Sequence, residues 1–248
     1  MKDTYIEKWF SDEQRMQREL QVFFLYKLFG RNAELIFKGG TALDLFYGSG
    51  RFSEDLDFNC KNADVLVDVD EAIEALSNGG QYQIFNDWSR ERELRKNFVR
   101  YNLRISSEKS RKLVNFIIDC SIGPTIYAPD NFVINYKDSL MSIKVMNAQE
   151  IVAEKVSALL TREKARDLYD LHFLVAVKHI PINMQDIYEK CGIKFSNKVP
   201  KKYSFKLFER RVKNLERRWS ELEPLLNGYD DYTFAEISQD VLNLFRGL

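Results

Sequence analysis

Apolar residues recur at helical spacing over about residues 4–29, where Ile6, Trp9 and Phe10 are followed by Leu20, Phe23, Phe24 and Leu28. This pattern predicts a long N-terminal helix. The stretch Glu34-Leu-Ile-Phe-Lys38 is short and apolar, so a buried strand is expected to end at Gly39-Gly40. Thr41 to Tyr47 predicts a short helix, stopped by Gly48-Ser-Gly50. Asp55-Leu-Asp-Phe58 alternates acid and apolar, which predicts a strand with one special face. Asp70 to Ser77 is helical in pattern. Tyr82–Phe85, Phe98–Ile105 and Leu113–Ser121 are rich in β-branched and aromatic residues and predict strands. From Asn147 the periodicity is helical throughout, with segments at Ala148–Arg162, Arg166–Val177, Met184–Cys191, Tyr203–Trp219 and Phe234–Phe245. The expected fold class is α+β, a mixed sheet with flanking helices over 1–145, followed by a C-terminal helical domain over 146–248.

Composition narrows the class. The chain has 248 residues, long enough for one large domain or two modest ones. Apolar residues make up 45% and charged residues 30%, as in ordinary water-soluble proteins. No run approaches the roughly 20 apolar residues that cross a bilayer, so no membrane role is expected. The first residues lack the apolar segment of a signal peptide. Cys60, Cys120 and Cys191 lie far apart with no CxxC pair, which argues against a disulfide frame or zinc site and fits a reducing cytoplasm.

Net charge is zero but strongly sorted. Residues 54–74 hold eight acids against one base, Lys61. Residues 90–112 hold nine bases against three acids, and residues 198–218 hold nine bases against Glu209 and Glu216. A single such run is usually a solvated face. Two basic runs with an acidic cluster fit a metal site flanked by a polyanion-binding surface.

Asp55 and Asp57 carry the central chemistry. At i and i+2 on a strand they point to one face. Two close carboxylates repel and call for a cation, and Mg²⁺ suits them because it takes oxygen ligands and shares its remaining sites with phosphates. A bare Asp-x-Asp is common in exposed acidic loops. Here a strand runs into Gly39-Gly40-Thr41 at a helix start, where glycine admits close approach and free N–H groups favour phosphate. Thr41 by itself reads as an ordinary N-cap. A glycine turn followed one short helix later by an acid pair is the minimum that holds a nucleoside triphosphate with Mg²⁺. Asp119 lies in the nearly apolar Val114-Asn-Phe-Ile-Ile-Asp-Cys120. Either it closes the metal site from a neighbouring strand or it lies at that strand's exposed end.

Lys155 falls within an apolar helical stripe of Ile151, Val152, Ala158 and Leu159. It reads either as a lysine snorkelling from the stripe's edge or as a cation aimed at a triphosphate, with Arg162 on the same face. Arg166 and Asp170 have the spacing of an i,i+4 ion pair, and Asp167 accompanies them. His172 and His179 read as structural.

Taken together, the sequence resembles the AbiEii/AbiGii-type nucleotidyltransferase toxin family. The resemblance rests on Phe37-Lys-Gly-Gly-Thr-Ala42, Arg51-Phe-Ser-Glu-Asp-Leu-Asp-Phe58, Ala153-Glu-Lys155 and Arg166-Asp-Leu-Tyr-Asp170, spanning residues 37–170. It implies a polymerase-β-like nucleotidyltransferase core with an added helical domain that completes the active site. It also implies transfer from an NTP to an acceptor, the 3′ end of tRNA in relatives, and a cognate antitoxin. Carried over by position, Asp55 and Asp57 bind Mg²⁺ or Mn²⁺, with Asp119 as a third candidate. Gly39, Gly40, Thr41 and Ser53 contact the nucleotide, Lys155 binds phosphate, and Asp167 or Asp170 is the last functional acid. The basic runs, which include Tyr101, Tyr203, Phe205 and Phe208, are expected to hold the RNA. Two other readings compete: a nucleotidyltransferase that modifies a protein hydroxyl, and a non-catalytic nucleotide-binding partner module. Intact Asp55, Asp57 and Lys155 argue against the second.

Overall fold

Ser11 starts the first helix. Its hydroxyl accepts from the Gln14 N–H while the Gln14 side chain accepts from the Ser11 N–H, a reciprocal cap that sets the start of α1, Asp12–Phe29. This is why the helix begins later than the apolar pattern of residues 4–29 suggests. The computed structural model describes residues 5–31, 33–78, 82–84, 97–107, 110–194 and 203–248. The chain divides into two compact units. One comprises 1–48, 52–125 and 129–146, and the other 49–51, 126–128 and 147–248.

The first unit is built on a mixed sheet. Its strands are β1 (Ile36–Lys38), β2 (Leu56–Cys60), β3 (Tyr82–Ile84), β4 (Phe98–Ser107), β5 (Ser110–Ile122), β6 (Asp130–Tyr136) and β7 (Ser139–Val145). Among the described residues the sheet has seven strands in the order β3-β4-β5-β2-β1-β7-β6. The β1–β7 and β2–β5 pairs are parallel and the others antiparallel. The β6–β7 hairpin goes beyond the sequence expectation. Its two-residue turn places Lys137 and Asp138 at φ 46° and 66°, as a tight hairpin turn requires.

Alternation sorts the sheet's two faces. Phe58, Phe116, Ile118, Cys120, Val99, Tyr101 and Leu103 are buried in one hydrophobic cluster with Leu20, Phe24, Leu25 and Leu28 of α1. The Phe24 ring meets those of Phe58 and Phe116 at 6.3 and 5.7 Å between centroids. Helix α3 (Leu66–Asn78) adds Leu66, Val69, Ala72 and Leu76 to the same cluster. The opposite face carries the polar partners of the alternation: Asp57 on β2, Asn115 and Asp119 on β5, and Arg100, Asn102 and Arg104 on β4. Between β1 and β2 the chain forms the short helix α2 (Gly39–Ala42), which widens into a π-turn over Leu43–Tyr47.

The second unit is helical: α4 (Ala148–Thr161), α5 (Ala165–His172), α6 (Met184–Lys194), α7 (Phe205–Lys213) and α8 (Phe234–Phe245). The single helix expected over Tyr203–Trp219 is two elements. Asn214 caps α7, and a 3₁₀ stretch follows over Glu216–Leu225. Val156, Leu159, Leu168, Leu171, Leu174, Phe208, Val212 and Phe245 form its buried interior. Arg51 bridges to Leu226 in this unit. Among the described residues no helix is long and apolar enough to cross a membrane.

Candidate active site

Asp55 and Asp57 flank buried Leu56 and are themselves half-buried, while Phe58 is fully buried. Asp57 therefore belongs to the polar face of β2, and Asp55 immediately precedes the strand. Register then builds a row across four strands. Lys38 of β1 pairs with Asp57, Asp57 with Asp119, and Asp119 with Arg100 of β4. Directly paired residues share a face, so the row reads cation, acid, acid, cation.

The glycine turn is pressed against this row. Gly39 has φ +76°, a conformation that L side chains rarely adopt. A Cβ there would lie 2.7 Å from Asp57 Cγ and 2.8 Å from Asp57 Cβ, inside any real contact distance. Glycine at 39 is thus demanded twice, by dihedral and by the neighbouring carboxylate.

Three side chains hold the backbone just before the acid pair. Thr41 Oγ1 donates to the Asp55 carbonyl at 2.5 Å and approaches the Ser53 carbonyl at 3.4 Å. Gln21 Nε2 donates to the Ser53 and Glu54 carbonyls, each at 2.9 Å, and Gln17 Nε2 donates to the Glu54 carbonyl at 2.9 Å. Thr41 is fully buried and Ser53 nearly so. The expected role of Thr41 as an N-cap is replaced by this tether, because Lys38 occupies the cap position and makes no side-chain capping bond. The glutamines of α1 escaped sequence reasoning, since they lie far from every motif.

Asp119 has a defined partner. Arg100 donates from Nε to Oδ1 at 2.7 Å and from Nη2 to Oδ2 at 2.6 Å, a two-pronged grip. That hydrogen bonding, aided by the fields of Asp119, Asp55 and Asp57, raises the Arg100 pKa against the opposing effect of burial. Burial raises the thiol pKa values of Cys60 and Cys120, so neither is an activated nucleophile. Among the described residues no three His, Cys, Asp or Glu side chains gather into a metal cage.

In the helical unit, Lys155, Asp167 and Asp170 form a buried ion network. Lys155 Nζ lies 2.6 Å from Asp170 Oδ2 and 3.2 Å from Asp167 Oδ1. Arg51 grips both oxygens of Asp170 at 2.8 and 3.0 Å, and Arg162 grips those of Asp167 at 2.7 and 2.8 Å. Both aspartates are 0% exposed. Burial alone would raise their pKa values. Lys155 and Arg162 outweigh it at Asp167, and Arg51 and Lys155 at Asp170, so both carboxylates sit below the ordinary range. Lys155 thus does not snorkel: it is buried, and its ammonium is engaged by two acids. Arg166 and Asp170 are expected partners by spacing, yet Asp170 is taken by Arg51, some 120 residues earlier in the chain.

The same architecture occurs in known structures. MenT4, a nucleotidyltransferase toxin from Mycobacterium tuberculosis H37Rv, is 19% identical and superposes with a TM-score of 0.67 over 94% of this chain and 83% of its own. A Helicobacter pylori protein classed as a candidate nucleotidyltransferase is 23% identical, with a TM-score of 0.63 over 94% and 93% of the two chains. A second Helicobacter pylori protein, JHP933, is 21% identical, with a TM-score of 0.54 over 95% and 91%. These likenesses establish the fold. No curated protein matches the chain. The family model for the nucleotidyl transferase AbiEii toxin of type IV toxin–antitoxin systems matches residues 24–231, which hold the glycine turn, the acid pair and the buried ion network alike. This chain therefore belongs to the AbiEii nucleotidyltransferase toxin family.

Proposed function

We propose that this nucleotidyltransferase moves a nucleoside monophosphate from an NTP to the 3′ end of tRNA in a Mg²⁺-dependent reaction, as the toxin of its pair. One observation carries the reading: the row Lys38, Asp57, Asp119, Arg100 runs beside a glycine turn that Asp57 touches. Asp55 and Asp57 suit a divalent ion, either Mg²⁺ or Mn²⁺. They are two half-buried carboxylates two residues apart, one just before β2 and one on it, a set that leaves coordination sites for waters and phosphate oxygens. When bound, the ion supplies neutralisation of the charge that develops on the transferring phosphoryl group.

The chain's own residues do the rest. The Gly39–Gly40 backbone carries no side chain to keep phosphate oxygens away. Lys38 sets a positive charge beside the acid row. Thr41, Gln17 and Gln21 fix residues 53–55, so Ser53 and Asp55 are presented without a reorganisation cost. The acceptor hydroxyl attacks the α-phosphorus, pyrophosphate leaves, and the hydroxyl proton passes to a neighbouring carboxylate or to water.

The helical unit supports RNA as acceptor. Lys206, Arg210 and Lys213 fall at i, i+4 and i+7 of α7 and are all exposed. Lys206 and Arg210 have no acidic partner among the described residues, whereas Arg211 and Arg217 share Glu163 and Lys213 holds Glu209. The stripe borders an open depression of about 540 Å³ that also presents Ser204 and Asn214. A basic stripe in which Lys206 and Arg210 have no acidic partner among the described residues, beside polar hydrogen-bonding groups, fits a phosphate backbone. Residues 90–96 and 108–109 of the first basic run and 198–202 of the second lie outside the described residues. A cytoplasmic site of action is proposed on the same grounds, since NTPs and tRNA are found together there. Family membership implies an antitoxin partner.

Labelled NTPs with Mg²⁺ and total tRNA test the acceptor. Label should enter tRNA and be lost when the tRNA 3′ end is oxidised with periodate. Label in protein, with none in tRNA, would overturn the tRNA assignment.

A further inference from the structure

The grip of Arg100 on Asp119 bears on how a metal enters the acid row. Asp119 is the paired neighbour of Asp57, and it sits in a nearly apolar run. It is 9% exposed and so needs a partner. Both of its oxygens are occupied by one guanidinium, at 2.7 and 2.6 Å. The Arg100 side chain is 40% exposed, so it has room to swing outward, whereas the Asp119 side chain at 12% has little. Arg104, four residues along on the same strand face, carries a like charge, and the Phe98 ring centroid lies 5.7 Å from the Arg100 guanidinium. Among the described residues the acid row supplies its ion-pair partner.

We propose that Arg100 is a built-in counter-ion latch: it holds Asp119 out of the metal's ligand set, and Asp119 joins Asp55 and Asp57 only when the guanidinium is displaced. Arg100 is thus a positioning residue that acts through Asp119. The inference rests on the reading of Asp55 and Asp57 as metal ligands. In its closed state the row balances its charge without metal. A nucleotide triphosphate gives the released guanidinium a second anion to grip, since a two-pronged donor suits phosphate as well as carboxylate. Metal and nucleotide binding are therefore coupled: each favours the open latch and so favours the other.

The test is Mn²⁺ binding, read by electron paramagnetic resonance as loss of the free-ion signal, on the full chain with and without a non-hydrolysable ATP analogue. Arg100→Gln should tighten Mn²⁺ binding by about tenfold or more, and the analogue should then add little. Loss of a positive charge alone could also tighten binding, so two further variants separate the causes. Arg100→Lys keeps the charge but cannot grip both oxygens, and it should also tighten binding. Asp119→Asn should change Mn²⁺ affinity less than about twofold in wild type but about tenfold or more in the Arg100→Gln background, a non-additivity that simple electrostatics does not produce. Arg100→Lys also guards against a folding failure of the neutral variant. Equal effects of Asp119→Asn in both backgrounds would overturn the latch while leaving the metal site intact. Wild-type Mn²⁺ binding that is absent, or indifferent to Asp57→Asn, would overturn both the latch and the metal reading beneath it.

Discussion

Gly39 makes the sharpest claim a single position can make here. Its φ of +76° and the carboxylate of Asp57 together exclude any side chain. Gly39→Ala places a methyl group where Asp57 already lies, and a left-handed conformation adds roughly 1–2 kcal/mol. Relief must come from moving Asp57, so the expected result is a melting temperature lowered by several degrees and nucleotide transfer reduced at least tenfold. A variant with wild-type melting and wild-type transfer would show that the turn tolerates displacement. At this scale much was legible in advance. Gly39-Gly40-Thr41 and Asp55-x-Asp57 announce themselves through residue types at short spacing. Lys38, Gln17, Gln21 and the Arg100–Asp119 pairing do not, because each acts through strand register or a long-range contact that no local pattern encodes. Arg51 stood inside a recognised motif, but its partner Asp170 could be found only in three dimensions.

At the scale of elements, α4 and α5 are joined by charge as much as by their apolar faces. Lys155, Asp167 and Asp170 are buried together, so Lys155→Met removes one cation from two fully buried carboxylates. Breaking a buried pair costs on the order of 3–5 kcal/mol, and the helical unit should melt markedly earlier. An unchanged melting temperature would refute this structural role. Acid should act on the same network. Both aspartates have pKa values depressed by folding, so their contribution is complete above the ordinary carboxylate value of about 4 and is lost as pH falls below it. Circular dichroism melts from about pH 4 down to about pH 2 should show a steep loss of stability in wild type and a shallower one in Lys155→Met. The helices themselves were legible from their 3.6-residue period. The β6–β7 hairpin was not singled out: Val133 between Phe132 and Ile134 breaks the alternation of apolar and polar residues. Its neighbour β1 is far back in the chain, so the strand's place in the sheet has no local signal.

At the scale of the whole molecule, near-neutral composition conceals sorted charge. The exposed stripe Lys206, Arg210 and Lys213 is expected to contribute to tRNA binding through phosphates. Replacing all three with glutamine should weaken tRNA binding at moderate salt and lower the salt-dependence slope by about 2–3, while NTP binding stays the same. An unchanged slope would place the RNA surface elsewhere. The fold and family are secure from the match over residues 24–231 and from the structural likenesses. The central claim is that the acid row beside the glycine turn performs the transfer. Its most direct measurement compares wild type with Asp57→Ala for incorporation of labelled nucleotide into tRNA, alongside the melting temperature of each. Removing one of two repelling carboxylates should leave melting unchanged or slightly raised. The account predicts transfer by wild type and none by the variant at equal or higher stability; transfer by Asp57→Ala at the wild-type rate would contradict it.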